Sequence, residues 1–413
     1  MKTVAWMVFL LTLGAAGLLA AFPGFNPVFL TLLFALPGVA VLIRKSFPIT
    51  IVRLVSVLSG AVFIFSGFVK AVDPVGTQYR IEDYFIAFGT EWALPLALPL
   101  SVLLNAFEFI TGVLLLSGLF PRFVRWLFLA VMLFFTVVTL NDAINNPVPD
   151  CGCFGDALKI SNWQTFYKNL ILDTFALILF FGELRPVARQ KVSLLITTGA
   201  VILVIGFEVY NIRHLPVIDF RDWKVGRNLI DSDPEPVQYY LTYRNRTTGE
   251  TREYRSPDYP YNDSAWLAEW EFVSQRVVDP NVPLHQLYAE DAEGNDVTWE
   301  VVEAPETHLI IVMDRLDKAT IRNNELVREF ISECNRHGIE SLVLTSSLPE
   351  EAEQFEAEHG WGTPYYFADD ITLKAMIRSN PGLILMKEGV VLDKWHHNDW
   401  PEVQEVLSAS GTK

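Results

Sequence analysis

Two thiols one residue apart are the feature of this sequence best suited to chemistry. They sit in Asp150-Cys151-Gly152-Cys153-Phe154-Gly155-Asp156, between two apolar stretches. Thiols separated by a single glycine can approach each other. A disulfide closing so small a ring is strained, easily reduced, and better suited to exchange than to stapling. Glycines at 152 and 155 relax the backbone for the turn. Two other readings stay open: inert loop thiols or a static bridge, and metal ligation. The last is the weakest, because zinc and iron–sulfur sites ask for about four soft ligands. Here two thiolates stand among carboxylates with no histidine nearby, so no metal site is expected. Cys334 is different. It shares one helical face with Val327, Phe330 and Ile331 and reads as a small buried hydrophobe.

Histidine narrows the options. His214, His285, His308, His337, His359, His396 and His397 all follow the last apolar stretch. A haem held by intramembrane histidines is therefore excluded from the N-terminal half. The pair His396-His397, beside Asp399 and Trp400, reads as solvated or capping rather than metal-binding.

The elements that must position the thiols follow from composition. Of 413 residues, 51% are hydrophobic and 19% charged, and the mean hydropathy is +0.27. These values exclude a disordered chain, a collagen-like chain and a small disulfide scaffold. A net charge of −16 excludes a broad nucleic-acid grip, so no nucleic-acid partner is expected. The charge is unevenly spread. Residues 1–210 hold 13 Lys+Arg against 11 Asp+Glu, and the remainder holds 19 against 37. A greasy, nearly neutral half precedes a soluble, acidic one.

A span needs about 20 apolar residues. Seven candidates appear. Thr3–Ile43 holds two, with a turn at Phe22-Pro23-Gly24-Phe25-Asn26-Pro27, and the others are roughly 50–71, 93–119, 124–141, 165–182 and 192–210. Lys2 before an apolar run also fits a signal peptide, but an uncleaved span is the expectation. Lys and Arg favour short cytoplasmic loops. Lys2, then Arg44, Lys45 and Arg53, then Arg122 and Arg125, then Arg185, Arg189 and Lys191 fall on alternate loops. Asp73, Glu82, Asp83 and Glu91 mark one opposite loop. Asp142, Asp150 and Asp156, with Lys159, mark the thiol loop. The alternation predicts a cytoplasmic N-terminus. It puts the thiol loop and everything after Tyr210 on the oxidising side, where disulfides persist.

Ionisable residues within spans are candidates for function. Glu108 falls in span four with Asn105 one turn earlier. Asp173 falls in span six with Asn169 one turn earlier, and Lys70 ends span three before Asp73-Pro74. They serve either as interhelical hydrogen bonds or as a polar pocket for a quinone head group or a proton path.

Gly67-Phe68-Val69-Lys70-Ala71-Val72-Asp73-Pro74 resembles the MauE/DoxX family of four-helix, redox-associated membrane proteins. So do Glu108 with Gly112, Leu114-Leu115-Leu116-Ser117-Gly118, the Cys-Gly-Cys-Phe-Gly loop, and Asn162-Trp163 through Asn169. The resemblance covers roughly residues 50–183, and the thiol loop is its most specific part, in the MauE branch. It implies disulfide formation in exported partners and, through DoxX, quinone-coupled sulfur chemistry. The extra spans and acidic outer domain resemble DoxX proteins of the Bacteroidetes type.

In the outer half, His214 to Asn228 reads as a polar stalk. Val237–Tyr243 and Thr251–Arg255 read as a hairpin, and Tyr259, Tyr261, Trp266, Trp270 and Phe272 as core or lid. Strands are expected at Leu284–Tyr288, Val297–Val302, Leu309–Met313, Leu342–Thr345, Leu383–Met386 and Val390–Trp395. Helices are expected at 319–337, 349–359 and 399–409. Asn380-Pro381 before a strand resembles the cis-proline position of the thioredoxin fold, in its membrane-tethered TlpA-like branch. That fold places Cys-x-x-Cys where this chain has Asp314-Arg315-Leu316-Asp317, so the domain is degenerate and runs no dithiol exchange there.

The expected architecture is an all-α polytopic membrane bundle of about seven helices with a DoxX-like four-helix core, plus an extracytoplasmic α/β thioredoxin-like domain. Its parts are 1–49 (two spans), 50–190 (core), 191–211 (seventh span), 212–282 (β-containing linker subdomain) and 283–413 (degenerate thioredoxin-like domain). Its place is the cytoplasmic membrane, among lipids. The expected function is thiol–disulfide exchange by Cys151 and Cys153 with an exported protein, coupled to quinone near Lys70, Asn105, Glu108, Asn169 and Asp173. The alternative is a non-enzymatic anchor or assembly component that presents the acidic domain to a partner in a membrane complex.

Overall fold

A computed structural model of the chain describes residues 47–148, 151–186, 190–230, 238–256, 258–260, 263–278, 285–321 and 323–411. The two spans expected within Thr3–Ile43 lie outside these residues. The chain divides into two compact units, one ending at Phe220 and the other beginning at Arg221.

The first unit is helical: α1 (Ile49–Val72), α2 (Pro74–Ala87), α3 (Ala97–Ser117), α4 (Pro121–Asn145), α5 (Asn162–Phe181) and α6 (Gln190–Arg213). Among the described residues, four helices are long and apolar enough to cross a membrane. They are α1, α3 with its preceding 3₁₀ turn, α4 and α6. Of the seven expected spans, these four are shown so, and the first two lie outside the described residues. The stretch 165–182 does fold as a helix, α5, but Lys168, Asn169 and Asp173 set it apart from those four. The stretch after α1, expected as an acidic loop, is instead the helix α2. Asp73 starts it by accepting the Gly76 N–H at 2.8 Å, with Pro74 supplying a preset first turn.

α1 packs on α3 and α5, and α4 packs on α5. Val52, Phe63, Leu115, Phe128, Met132 and Leu179 fill the space between them. The α1–α3 contact is close because glycines face each other. A Cβ on Gly67 would lie 2.5 Å from the Phe109 nitrogen, and one on Gly112 would lie 2.7 Å from the Gly60 carbonyl oxygen. Small residues at a crossing let backbones approach where no hydrophobic gain from water drives packing. The Arg125 guanidinium donates to the Gly182 carbonyl at 2.6 Å, satisfying the end of α5. Outward positions such as Leu54, Trp126, Val137, Leu195 and Ile202 are exposed and apolar, a surface suited to lipid.

The second unit holds two sheets. β1 (Gln238–Asn245), β2 (Thr251–Arg255) and β3 (Trp270–Val278) form an antiparallel sheet in the order β2-β1-β3, with the short helix α7 (Ser264–Glu269) leading into β3. The hairpin stands as expected, and β3 is added. Of the aromatic residues expected as core or lid, Tyr259, Trp266 and Phe272 stack on the Tyr243 ring or meet it edge-on, as does Tyr254, and Trp270 stacks on Trp266, while Tyr261 lies outside the described residues.

The larger sheet runs β4-β7-β6-β5-β8-β9. Its strands are β4 (Ala289–Glu290), β5 (His308–Met313), β6 (Glu340–Thr345), β7 (Tyr365–Ala368), β8 (Gly382–Lys387) and β9 (Val390–His396). β5, β6 and β7 are mutually parallel, and β4, β8 and β9 run antiparallel to their neighbours. β5 is buried along its whole length, so both faces of the sheet are covered. Its helices are α8 (Thr298–Val302), α9 (Asn324–Arg336), α10 (Pro349–His359), α11 (Asp370–Met376) and α12 (Val403–Ser410). Cys334 is fully buried on α9 beside Val327, Phe330 and Ile331, as its helical spacing predicts.

Two expected strands are corrected. Of Leu284–Tyr288, the described part is not strand, and pairing begins only at Ala289. Within Val297–Val302, Thr298–Val302 is a helical turn, closed by the Glu303 N–H donating to the Trp299 carbonyl. Residues 221–230, within and beyond the expected stalk, run beside β9 through hydrogen bonds from Gly226 N–H to Val391 and from Leu229 N–H to Gly389. The Asn380–Pro381 peptide is cis, and the Asn380 side chain donates to the Arg315 carbonyl at 2.9 Å, beside residues 314–317.

Gly112→Leu is expected to overpack the α1–α3 crossing and lower stability by about 1–3 kcal/mol. Gly199→Leu on α6, whose added Cβ meets nothing within 4 Å, should leave stability unchanged. Thermal unfolding of the detergent-solubilised protein followed by tryptophan fluorescence checks both.

Candidate functional site

The site is built from a polar seam between α1 and α3 and the loop above it. Ser66 and Lys70 are four residues apart on α1, hence on one face. That face meets Glu108 on α3. The Lys70 ammonium lies 2.7 Å and 2.9 Å from the two Glu108 carboxylate oxygens, and both side chains are almost wholly buried. The Ser66 hydroxyl stands 2.7 Å from Glu108 Oε2 and 2.7 Å from the Cys153 carbonyl oxygen. It has one proton to share between these two acceptors. Asn105, fully buried one turn before Glu108, donates to the Lys70 carbonyl at 3.3 Å. A charge in an apolar bundle is tolerated only when its partner and hydrogen bonds accompany it, and here they do.

The thiol loop folds over this seam. Gly155 N–H donates to the Gly152 carbonyl, closing a tight turn. Gly152 has φ +61°, and a Cβ there would meet the Arg80 side chain at 3.0 Å. The left-handed backbone favours glycine there, and the Arg80 side chain would have to give way to any larger residue. Phe154 is buried against Phe65 and anchors the loop, and the Lys168 ammonium lies 4.6 Å from the centre of the Phe154 ring. The Cys151 and Cys153 sulfurs are 2.6 Å apart, within bonding reach of one another, and Cys151 also lies 3.5 Å from the Thr165 hydroxyl. The hydrogen bond from Cys151 and the ammonium groups of Lys168 and Lys70 hold the Cys153 thiol below its ordinary range, against the effect of burial. The same hydrogen bond and burial push Cys151 up.

Both sulfurs line a cavity of about 390 Å³. Phe63, Phe85, Phe88, Phe134 and Phe135 stand in its largely apolar wall, and Lys70, Glu108, Lys168 and Asn169 bring polar groups to it. Of the residues singled out in the sequence, the structure thus gathers Cys151, Cys153, Lys70, Glu108 and Asn169 around one space. Asn105 supports them from behind. Asp173 is placed elsewhere, accepting the Thr136 hydroxyl at 2.7 Å on the α4–α5 seam, and does not line the cavity. Asn169 donates to Thr139 at 3.1 Å, across the same seam.

Four residues of interest were missed. Ser66 had a signal, its spacing from Lys70. Lys168 had one also, being a charge next to Asn169 in an apolar run. Tyr84 had none, because only the fold turns α2 over the cavity. There it donates to Asp142 at 2.6 Å. Glu208 on α6 is fully buried, and neither carboxylate oxygen has a hydrogen-bond partner among the described residues.

Removing one half of the Lys70–Glu108 pair strands the other. Glu108→Ala and Lys70→Met are each expected to cost about 3–5 kcal/mol, and the double variant Lys70→Met/Glu108→Met to recover most of it. Comparing melting temperatures of the three variants in detergent checks this.

No curated protein matches the chain at a significant level. From the start of α1 to the end of α5, thiol loop included, residues 48–182 match the family model of methylamine utilisation protein MauE, so the chain carries a MauE family domain over that third of its length.

Proposed function

We propose that this is a multi-pass protein of the cytoplasmic membrane that oxidises thiols of exported proteins through a Cys151–Cys153 disulfide and passes the electrons to a quinone. The observation that carries the reading is the meeting of two sulfurs, 2.6 Å apart, with the wall of one aromatic cavity. The alternation of basic loops supports an N-terminus in the cytosol, with the thiol loop and the outer unit outside. α5 is read as a further span, its polar side chains turned to partners on α4 and to the cavity. The resemblance to MauE and DoxX proteins agrees with this chemistry.

The chain's own part runs as follows. An incoming thiolate attacks one sulfur of the disulfide, and the other sulfur leaves with the electron pair of the broken bond. A second substrate thiol then displaces the first enzyme sulfur. The substrate gains a disulfide and the loop holds two reduced sulfurs. A quinone supplies a sink for two electrons and two protons. The cavity suits an aromatic-sized ring: its volume falls in the range of small-molecule sites, its wall is largely apolar with five phenylalanines, and Lys70, Lys168 and Asn169 offer donors to a carbonyl. Burial of Lys70 against Glu108 keeps one such donor fixed in place.

The second reading, an anchor for a docking module, rests on a specific observation about the outer unit. We read its sheet as thioredoxin-like from its strand order and directions. After β5, Arg315 and Asp317 pair at 2.7 Å where that fold would carry its thiols. This unit then serves to bind or shield a partner, and the thiol loop does the chemistry.

Whole cells are treated with an alkylating mass tag, with and without prior reduction. Cys151 and Cys153 are expected to be protected without reductant and to be labelled after it. Cys151→Ser and Cys153→Ser should each leave some exported protein with reduced thiols. Both thiols staying reduced and unreactive under oxidising conditions would rule the exchange out and leave the anchor.

A further inference from the structure

The cavity contains two lysines, and their situations differ. The Lys70 charge is met by Glu108 through two contacts, and the Ser66 hydroxyl lies within hydrogen-bond distance of the same carboxylate. The Lys168 ammonium has no carboxylate within ion-pair distance among the described residues. It lies over the face of Phe154, the residue next to Cys153. A cation half-buried at an apolar cavity is held there at a cost unless negative charge comes to it. In the disulfide form, no such charge is present beside it. In the dithiol form, one can be.

We propose that Lys168 is a positioning residue and the counter-charge of the reduced thiol pair: it holds negative charge on Cys153, making Cys153 the leaving sulfur and Cys151 the sulfur that substrate attacks. This rests on the exchange reading above and assigns the two sulfurs their roles. The charged and titratable groups around Cys153 come from every neighbouring element. Lys168 stands on α5, Lys70 on α1 and Glu108 on α3. Tyr84 stands on α2, and so does Arg80, whose side chain lies against Gly152 and pairs with Asp83. Lys70 and Glu108 largely cancel, and Arg80 is paired, so among the described residues Lys168 supplies the unbalanced positive charge. The Cys151 S–H donates to Cys153 and to nothing charged, which keeps the proton on Cys151. The lowered Cys153 and raised Cys151 thiols agree with this division.

The balance is as follows. A substrate thiol loses its proton to solvent and its sulfur bonds to Cys151 Sγ. The Cys151–Cys153 bond breaks, and its electron pair settles on Cys153 as a thiolate facing Lys168. The second substrate thiol bonds to the first substrate sulfur, the Cys151 sulfur leaves, and it takes the second proton. One disulfide is lost from the enzyme and one is formed on the substrate.

The test uses the full-length protein in detergent, reduced, then alkylated over a pH series with each cysteine quantified by peptide mass spectrometry. Cys153 should react much faster than Cys151 near neutrality. Lys168→Met should slow Cys153 about tenfold there, since thiolate is the reacting form and its fraction falls with a raised pKa. Lys168→Arg should restore the rate, which a purely structural loss would not allow. Superimposable profiles for wild type and Lys168→Met, or a faster Cys151, would overturn the assignment. A model dithiol peptide supplies the second readout, on single-cysteine variants carried as mixed disulfides with a small thiol. The peptide should lodge on Cys151 in Cys153→Ser, with no such adduct on Cys153 in Cys151→Ser. The reverse pattern overturns the assignment. Absence of adducts in both sinks the exchange reading, while the alkylation profiles still decide the role of Lys168.

Discussion

The Lys70–Glu108 pair is the constraint on which the helical unit depends. Each charge would be intolerable alone in an apolar bundle, and together they demand that α1 and α3 meet in one register. The glycine contacts at Gly60, Gly67 and Gly112 make that meeting close enough for the pair to form. Ser66 then ties the same seam to the carbonyl of Cys153, so the ion pair and the thiol loop share a support. Position of the sulfurs is thus inherited from helix packing and is not left to a free loop.

That inheritance has chemical consequences. A thiol pair on a mobile loop would react according to collisions with solvent. Here the loop is pinned by Phe154, by the Gly152 turn and by Ser66, and its sulfurs look into an aromatic space with fixed cations. A fixed electrostatic environment distinguishes two thiols that are chemically identical in sequence. The same environment joins the two sulfurs to a largely apolar cavity within the bundle.

The second unit shows a different use of similar physics. Its central strands are buried on both faces by helices, and the stretch after β5 is polar, ion-paired and free of cysteine. Its acidic surface follows from composition, and its rigidity from a continuous apolar core in which Cys334 is one small member. Among the described residues, Cys151 and Cys153 lie in the first unit.

The sequence by itself determined a great deal. Apolar runs predicted α1, α3, α4, α5 and α6 within a few residues, because a helix exposed to lipid must be apolar along its whole length. Alternation and turn residues located β5, β6, β8, β9 and the helix at Pro349–His359. The Cys-Gly-Cys loop and the acid on α3 were legible because thiols and intramembrane charges are rare. The sequence did not reveal that Val301 and Val302 lie on a helical turn, that β3 completes a sheet, or that Tyr365–Ala368 is a strand. These depend on pairing with distant segments, which local pattern does not encode. It also could not separate Asp173 from Glu108, since both are acids in apolar helices. Only the tertiary structure decided that Lys70 answers Glu108, that Asp173 turns to Thr136 away from the cavity, and that Lys168 and Tyr84 come to the sulfurs. The reason is that a buried charge is defined by what packs against it, and its neighbours come from helices far apart in the chain.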